Sequence, residues 1–422
     1  MTENPEQEQK QASPEPAPEA EVDKFDLRGA WWQVLGGFLI FFVIWGLPIS
    51  FGAFQDFYTL HYLSTYPASA IAWIGTVQGA LLVAVGLLSG PLYDLGYWRL
   101  LYATGAFMCV FGLMMLSLST EYYQVMLSQG FCIGIGSGLL YIPVLTLIGA
   151  AFKKQRALAM GVITSGIALG GIMYTLIYLY LLNTLGFGWM VRVIGFVSLA
   201  AFAIAAPTLR LGKRRAGTSR KLFDRAALTD VPFLLFTLAQ FFVFLGYLVP
   251  LFYIPTFAQV ALHTSQSTAL YILIGSQGAS LFGRLAATYV VRYVGVMVPW
   301  AGCCCASGIL CFAWIAITEQ SGFIAFAVLY GFFSGALVAL PPSLFPSICP
   351  DPSKLGSRLG ISWTSTAVAF LIGSPIAGAV IDVGTADFLG AQVWSGSMLL
   401  FSVLLLGALW IMLARKLKRV LI

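Results

Sequence analysis

AAFKKQRALAMGVITSGIALGG (150–171) sets Lys153, Lys154 and Arg156 within four positions, between long uncharged segments of which the second is rich in glycine. Cations knotted between two apolar segments read as a short loop joining two membrane spans. The composition agrees. Hydrophobic residues make up 59% of the 422 and charged residues 9%, against about 25% charged in an average soluble domain. Mean hydropathy is +0.87. So little charge cannot cover a soluble surface of this size, and apolar runs of about 18 residues or more are read as spans. Lipid leaves no water for unpaired backbone groups, so the spans must be helices. They are continuous rather than alternating, which excludes a membrane β-barrel.

Twelve such segments follow one another, over 31–54, 71–92, 99–119, 123–149, 157–182, 189–209, 232–257, 268–291, 297–318, 322–347, 359–382 and 393–414. All Lys and Arg residues except Arg192 and Arg284 fall in the two tails or in every second loop. The positive-inside rule then puts both termini and the 150–156 loop in the cytoplasm. The longest internal loop, 210–231, is basic and splits the spans into six and six. The halves echo each other: Pro143 is followed by Arg156, Leu158 and Gly161, and Pro342 by Lys354, Arg358, Leu359 and Gly360. The expected fold is therefore an all-α integral membrane protein, twelve transmembrane helices in two six-helix repeats, the architecture of the major facilitator fold. Its parts are an acidic disordered tail (1–28), a first half (29–209), a basic linker (210–231), a second half (232–414) and a basic tail (415–422). The tail 1–28 holds eight acids and no apolar run, which reads as disorder rather than as a signal peptide.

Several function classes fall away. The net charge of +6 lies in short loops between spans, so nucleic acid is not the expected partner. The seven cysteines lack disulfide or zinc spacing and no His completes Cys303–Cys305, so no metal and no cofactor are expected. GIGSG (134–138) lies inside a span and is not a nucleotide loop. A membrane-embedded enzyme needs His, Asp or metal-ligand clusters at membrane depth, and the two His residues are expected in external loops. It remains the distant alternative to a carrier.

GPLYDLGYWR (90–99) resembles the major facilitator loop signature, with Asp94 at a helix end and Arg99 nearby as a charged latch. The basic cluster with Arg156-x-Leu158-Ala159-x-Gly161 and the small residues after it resembles the fifth-span signature of the monocarboxylate porter family. The first span (28–58), GFGWMVRVIGF (186–196), GSRLG (356–360) and GSPIAGA (373–379) resemble that family too, especially its fungal branch. The resemblance covers residues 28–415. It implies a secondary carrier working by alternating access, with short carboxylates, a vitamin or secondary metabolites as the range of substrates. The expected conformational residues are Asp94, Arg99, Lys154, Arg156, Arg358, Gly161, Gly166 and Gly170. The last two share a face at i, i+4, and small residues there let helix backbones approach closely.

Arg284 sits inside the eighth span, where an unpaired cation costs about 2.5 kcal/mol or more. It cannot lose its proton, and its planar fork matches a carboxylate. In animal lactate carriers an Arg at the matching place binds the substrate carboxylate within Asp-x-x-x-Arg; here the pattern reads Ser280-Leu-Phe-Gly-Arg284, and Ile49 stands where those carriers have a first-span Lys. An Arg tied to carbonyls of a neighbouring helix is the competing reading. Gln277, two turns away on nearly the same face, joins Tyr141, Tyr253 and Trp363 as an expected substrate contact. Asp56 and Asp382 are read as interfacial, with proton carriage as the alternative role. The expected substrate is a small organic anion, with a neutral metabolite or vitamin as the alternative; protons are a candidate coupling ion. The expected location is the plasma membrane.

Overall fold

The computed structural model describes residues 24–152, 156–209, 225–349 and 352–417. These are almost entirely helical. The first transmembrane helix, α1 (Trp31–Tyr62), continues a helix that begins at Lys24, so the tail expected to be disordered to residue 28 is helical over its last five residues. Next come α2 (Ala68–Asp94), α3 (Trp98–Leu116) and α4 (Tyr122–Gly149). Arg156–Thr208 is one helical run broken at Gly186, where φ is 75°, a backbone value that favours glycine. The Tyr174 and Ser198 hydroxyls, twelve residues to either side, meet at 2.9 Å. The chain therefore doubles back there, into α5 (156–185) and α6 (187–208). Then come α7 (Val231–Val260), α8 (Gln266–Val294), α9 (Met297–Ala316), α10 (Gln320–Phe345), α11 (Pro352–Ala379) and α12 (Leu389–Leu417). Twelve passes result, as the hydropathy pattern implies.

Close glycine contacts repeat at an offset of six helices. Gly166 and Gly170 of α5 press on the Phe38 and Phe42 carbonyls of α1, and Gly373 of α11 on Leu245 of α7. Gly134 of α4 meets Gln78 of α2, and Gly335 of α10 meets Ser280 of α8. Gly195 of α6 meets Met114 of α3, and Gly308 of α9 meets Leu400 of α12. Each pair brings two backbones, or a backbone and a side chain, close enough that a Cβ would intrude. Lipid tails are as apolar as the side chains, so packing of this kind must supply the association that water would otherwise drive. The first six and last six helices therefore form two sets built on one contact plan.

The helix ends that flank the basic loops lie at one end of the bundle, here the basic end. The opposite loops (63–67, 117–121, 261–265, 317–319 and 380–388) hold no Lys or Arg and form the neutral end. Three expectations change. The first span runs eight residues past 54, through a π-helical turn at Tyr58–Tyr62, because the chain stays aromatic and apolar there. His61 therefore sits exposed on a helix end, its ring tilted against Phe57, rather than in a loop. Gly161, grouped with Gly166 and Gly170 by sequence, has no neighbour within 4 Å of a Cβ position, because it lies before the stretch of α5 that crosses α1.

Candidate functional site

The two sets of six helices meet through α1, α2, α4 and α5 on one side and α7, α8 and α11 on the other. Arg284 lies at this interface, 3% exposed. Its Nη1 donates to the backbone carbonyl of Thr164 on α5 at 2.7 Å, so it reaches across from one set to the other. Its Nε is buried with no hydrogen-bond partner. The Tyr247 phenol on α7 also faces the guanidinium. Seven residues before it, Gln277 donates from Nε2 to the Ile49 carbonyl of α1 at 3.3 Å, while its Oε1 has no partner. The Oε1 lies against Gly171 of α5, 3.0 Å from where a Cβ would be. Both side chains of the pair thus face α5, Arg284 at Thr164 and Gln277 at Gly171, seven residues and about 10 Å of helical rise apart. Ser280, between them, turns its hydroxyl back to the Gln277 carbonyl at 2.8 Å.

An aromatic chain borders this polar spot. Tyr247 packs on Phe244 with ring centroids 5.8 Å apart, Phe244 on Phe370 at 4.9 Å, and Phe370 on Trp45 at 6.0 Å. Trp45 meets Tyr141 at 5.5 Å, and Tyr141 meets Trp363 at 5.8 Å. Tyr141 and Trp363, expected as substrate contacts, thus face each other from α4 and α11. Buried amides lie on α2 and α7: both polar atoms of Gln78 and the Nε2 of Gln240 are unpartnered. An unpaired polar group out of water costs free energy unless something bonds to it. A cation, amides and rings are thus gathered where the two sets of helices meet.

Tyr253 does not join them. It sits six residues beyond Tyr247 on α7, and its hydroxyl lies against Gly378 of α11, towards the neutral end. The expected latch residues are divided. Asp94 is half-buried at the end of α2 and Arg99 exposed in the first turn of α3. Lys154 lies outside the described residues, and of Arg156 only the backbone, at the start of α5, is described. Arg358 is ion-paired with Asp230 just ahead of α7 and stacks over Phe233 at 5.6 Å; this ties two helices of the same set. Arg192 donates to Ser117 at 3.2 Å and covers Trp189, at the neutral end of α6.

The two candidate proton carriers separate. Asp382 is exposed in the turn before α12, where its carboxyl is held below the usual carboxylate range by hydrogen bonds from the Thr385 side chain and the Thr385 and Gly384 amides. It organises a turn and stays ionised near neutral pH. Asp56, read as interfacial, is instead fully buried inside α1, because α1 is longer than its apolar core suggests. Its Oδ2 accepts from Nε2 of Gln259 on α7 at 2.6 Å. Gln259 carried no sequence signal; only its meeting with Asp56 marks it.

Among the described residues no group of three or more His, Cys, Asp or Glu could hold a metal ion. Residues 33–325 match the model of the Major Facilitator Superfamily. The chain is 38% identical over 368 residues to "MFS-type transporter dbaD" of Emericella nidulans, covering 87% of this chain and 83% of that one. It is 34% identical to "Aspyridones efflux protein apdF" of the same organism (94% and 80% covered) and 34% identical to "Fujikurins efflux protein" of Gibberella fujikuroi (90% and 82%). With its apolar helices, its repeated contact plan and these matches, the chain belongs to the major facilitator superfamily, as a multi-pass membrane transporter.

Proposed function

We propose that this chain exports a small acidic metabolite with an aromatic or conjugated frame, by alternating access between its two sets of six helices. The observation that carries the reading is Arg284: a guanidinium that cannot be neutralised, buried at the interface with its Nε unpartnered, beside Gln277 and a continuous row of rings. An anion that bonds Nε would replace the missing partner, and the rings would stack on its frame. Relatives named as efflux proteins for aspyridones and fujikurins support the export direction. The resemblance to the monocarboxylate porters supports an anionic substrate. In this reading both termini and the basic end face the cytoplasm, the plasma membrane holds the protein, and protons are the coupling ion. Asp94 and Arg99, with Lys154 and Arg156, form the cytoplasmic latch; Gly166 and Gly170 let α5 slide on α1.

A second reading takes Arg284 as a tether between the two sets, for a neutral substrate. Its bond to the Thr164 carbonyl favours it. One experiment separates them. Metabolites inside and outside cells are compared with the intact chain, without it, and with Arg284→Lys. Export of an acid predicts one acidic compound retained in cells lacking the chain and in those with Arg284→Lys, since Lys keeps the charge but loses the planar fork. A retained compound that is neutral sinks the anion reading.

A further inference from the structure

We propose that Gln240 on α7 is a second recognition point for the substrate, a donor for a carbonyl oxygen at the end of the molecule remote from its acid group. The exported compound then belongs to a class: a conjugated acid with a carbonyl acceptor about 10 Å from the carboxyl. This rests on the reading of Arg284 as the anion site, yet the two fail independently.

Gln240 is 2% exposed, where α7 meets α11. The Ser362 hydroxyl of α11 donates to its Oε1 at 3.3 Å. That bond fixes which way the amide faces. Its acceptor is used inside the protein, and its Nε2 is left buried with no partner. A contact serving only to join α7 to α11 would be more stable between apolar residues, because an idle NH2 out of water costs free energy.

The neighbours of this amide belong to the row of rings. Phe244, one turn along α7 from Gln240, packs on Phe370 at 4.9 Å. Trp363, next to Ser362, meets Tyr141 at 5.8 Å. Trp45 touches both Phe370 and Tyr141, and its buried indole Nε1 is a further donor without a partner. Two turns beyond Gln240, on nearly the same face of α7, stands Tyr247, which faces Arg284. The helical rise between Gln240 and Tyr247 is about 10 Å. The open groups at the two ends of this stretch, Arg284 Nε and Gln240 Nε2, are both donors. A ligand that satisfies both brings an acceptor at each end. Arg284 keeps its charge and takes the acid. Gln240 is neutral and matches a carbonyl, since a second carboxylate would lose its hydration for one neutral donor. The rings between them suit a flat frame, which stacks rather than bonds.

The test uses the purified full-length chain in detergent and two probe acids. One is a biphenyl carboxylic acid with an acetyl group at the far para position. In the other, isopropyl replaces acetyl, so that a methyl stands in place of the carbonyl oxygen. The rise of Tm with probe concentration gives a Kd for each. The acetyl acid should bind the parent chain about fivefold to tenfold more tightly, the contribution of one neutral hydrogen bond. Gln240→Leu should bring that ratio to about one or below, while the Kd of the isopropyl acid stays within about twofold. Arg284→Lys should weaken both acids alike and keep the ratio. Equal binding of the two acids by the parent, or a ratio that Gln240→Leu leaves unchanged, overturns the proposal and leaves the anion reading in place. If Arg284→Lys changes neither Kd, the anion reading falls and Gln240 remains a carbonyl contact. Binding of neither acid overturns both. If Gln240→Leu does not give monodisperse protein, Ser362→Ala decides. It frees the amide to turn its oxygen towards the ligand, so the ratio should fall by about half or more; an unchanged ratio overturns the proposal.

Discussion

Two buried ionisable side chains span the interface between the six-helix sets, and they differ in what they lack. Arg284, in the middle, carries a charge it cannot shed and is short of an acceptor for Nε. Asp56, at the neutral end, can shed its charge and is short of a partner for Oδ1. Arg284 links α8 to α5 and Asp56 links α1 to α7, so the two polar links between the sets lie at different depths and on different helices.

The largest expected effect falls on the centre. Arg284→Ala should lower efflux of an acidic substrate by about 100-fold, the equivalent of about 3 kcal/mol for a lost charge-assisted contact, at every pH. Next comes the contact plan on which both sites stand. Gly170→Val should destabilise the protein by about 1–3 kcal/mol through overpacking against the Phe42 carbonyl, read as a lower Tm in detergent. Gly161→Val, in open space, should leave Tm within a degree or two of the parent. Trp363→Ala should raise KM about tenfold for an aromatic acid, since one lost ring contact with its burial is worth about 1–1.5 kcal/mol, and should spare an aliphatic acid. The smallest effect belongs to Tyr180→Phe. Its hydroxyl meets Tyr271 at 3.0 Å, but both rings are exposed, so stability should move by less than about 0.5 kcal/mol.

The centre was more legible than the end. Arg284 announces itself because a cation inside an apolar run has no cheap explanation, and Gln277 follows from helical spacing alone. Tyr141 and Trp363 could be placed mid-span but not paired, since nothing in 141 and 363 says that α4 and α11 meet. Tyr253 shows the converse: the same depth reading applied to α7 put it in the site, and six residues of rise took it to the neutral end. Asp56 was misread for a physical reason. The apolar core of the first span stops near residue 54, but helical hydrogen bonding and aromatic packing carry the helix to Tyr62, and burial there comes from α5 and α7 rather than from hydropathy. The signal was present in FQDFYTLHY (54–62), whose rings at 54, 57, 58 and 62 keep a helical face.

By itself the sequence determined the solvent, the number of passes, the alternation of charged loops and the six-plus-six division, because the length of an apolar run and the placing of Lys and Arg are properties of the chain read in one dimension. It also determined that Arg284 had to be answered by something. Only the tertiary structure decided what lies opposite what: Thr164 before Arg284, Gln259 before Asp56, and the row of rings from Tyr247 to Trp363. These pairs are separated by tens to hundreds of residues, and in lipid their meeting is set by which glycines let which backbones touch. That is a property of packed surfaces, and no local pattern encodes it.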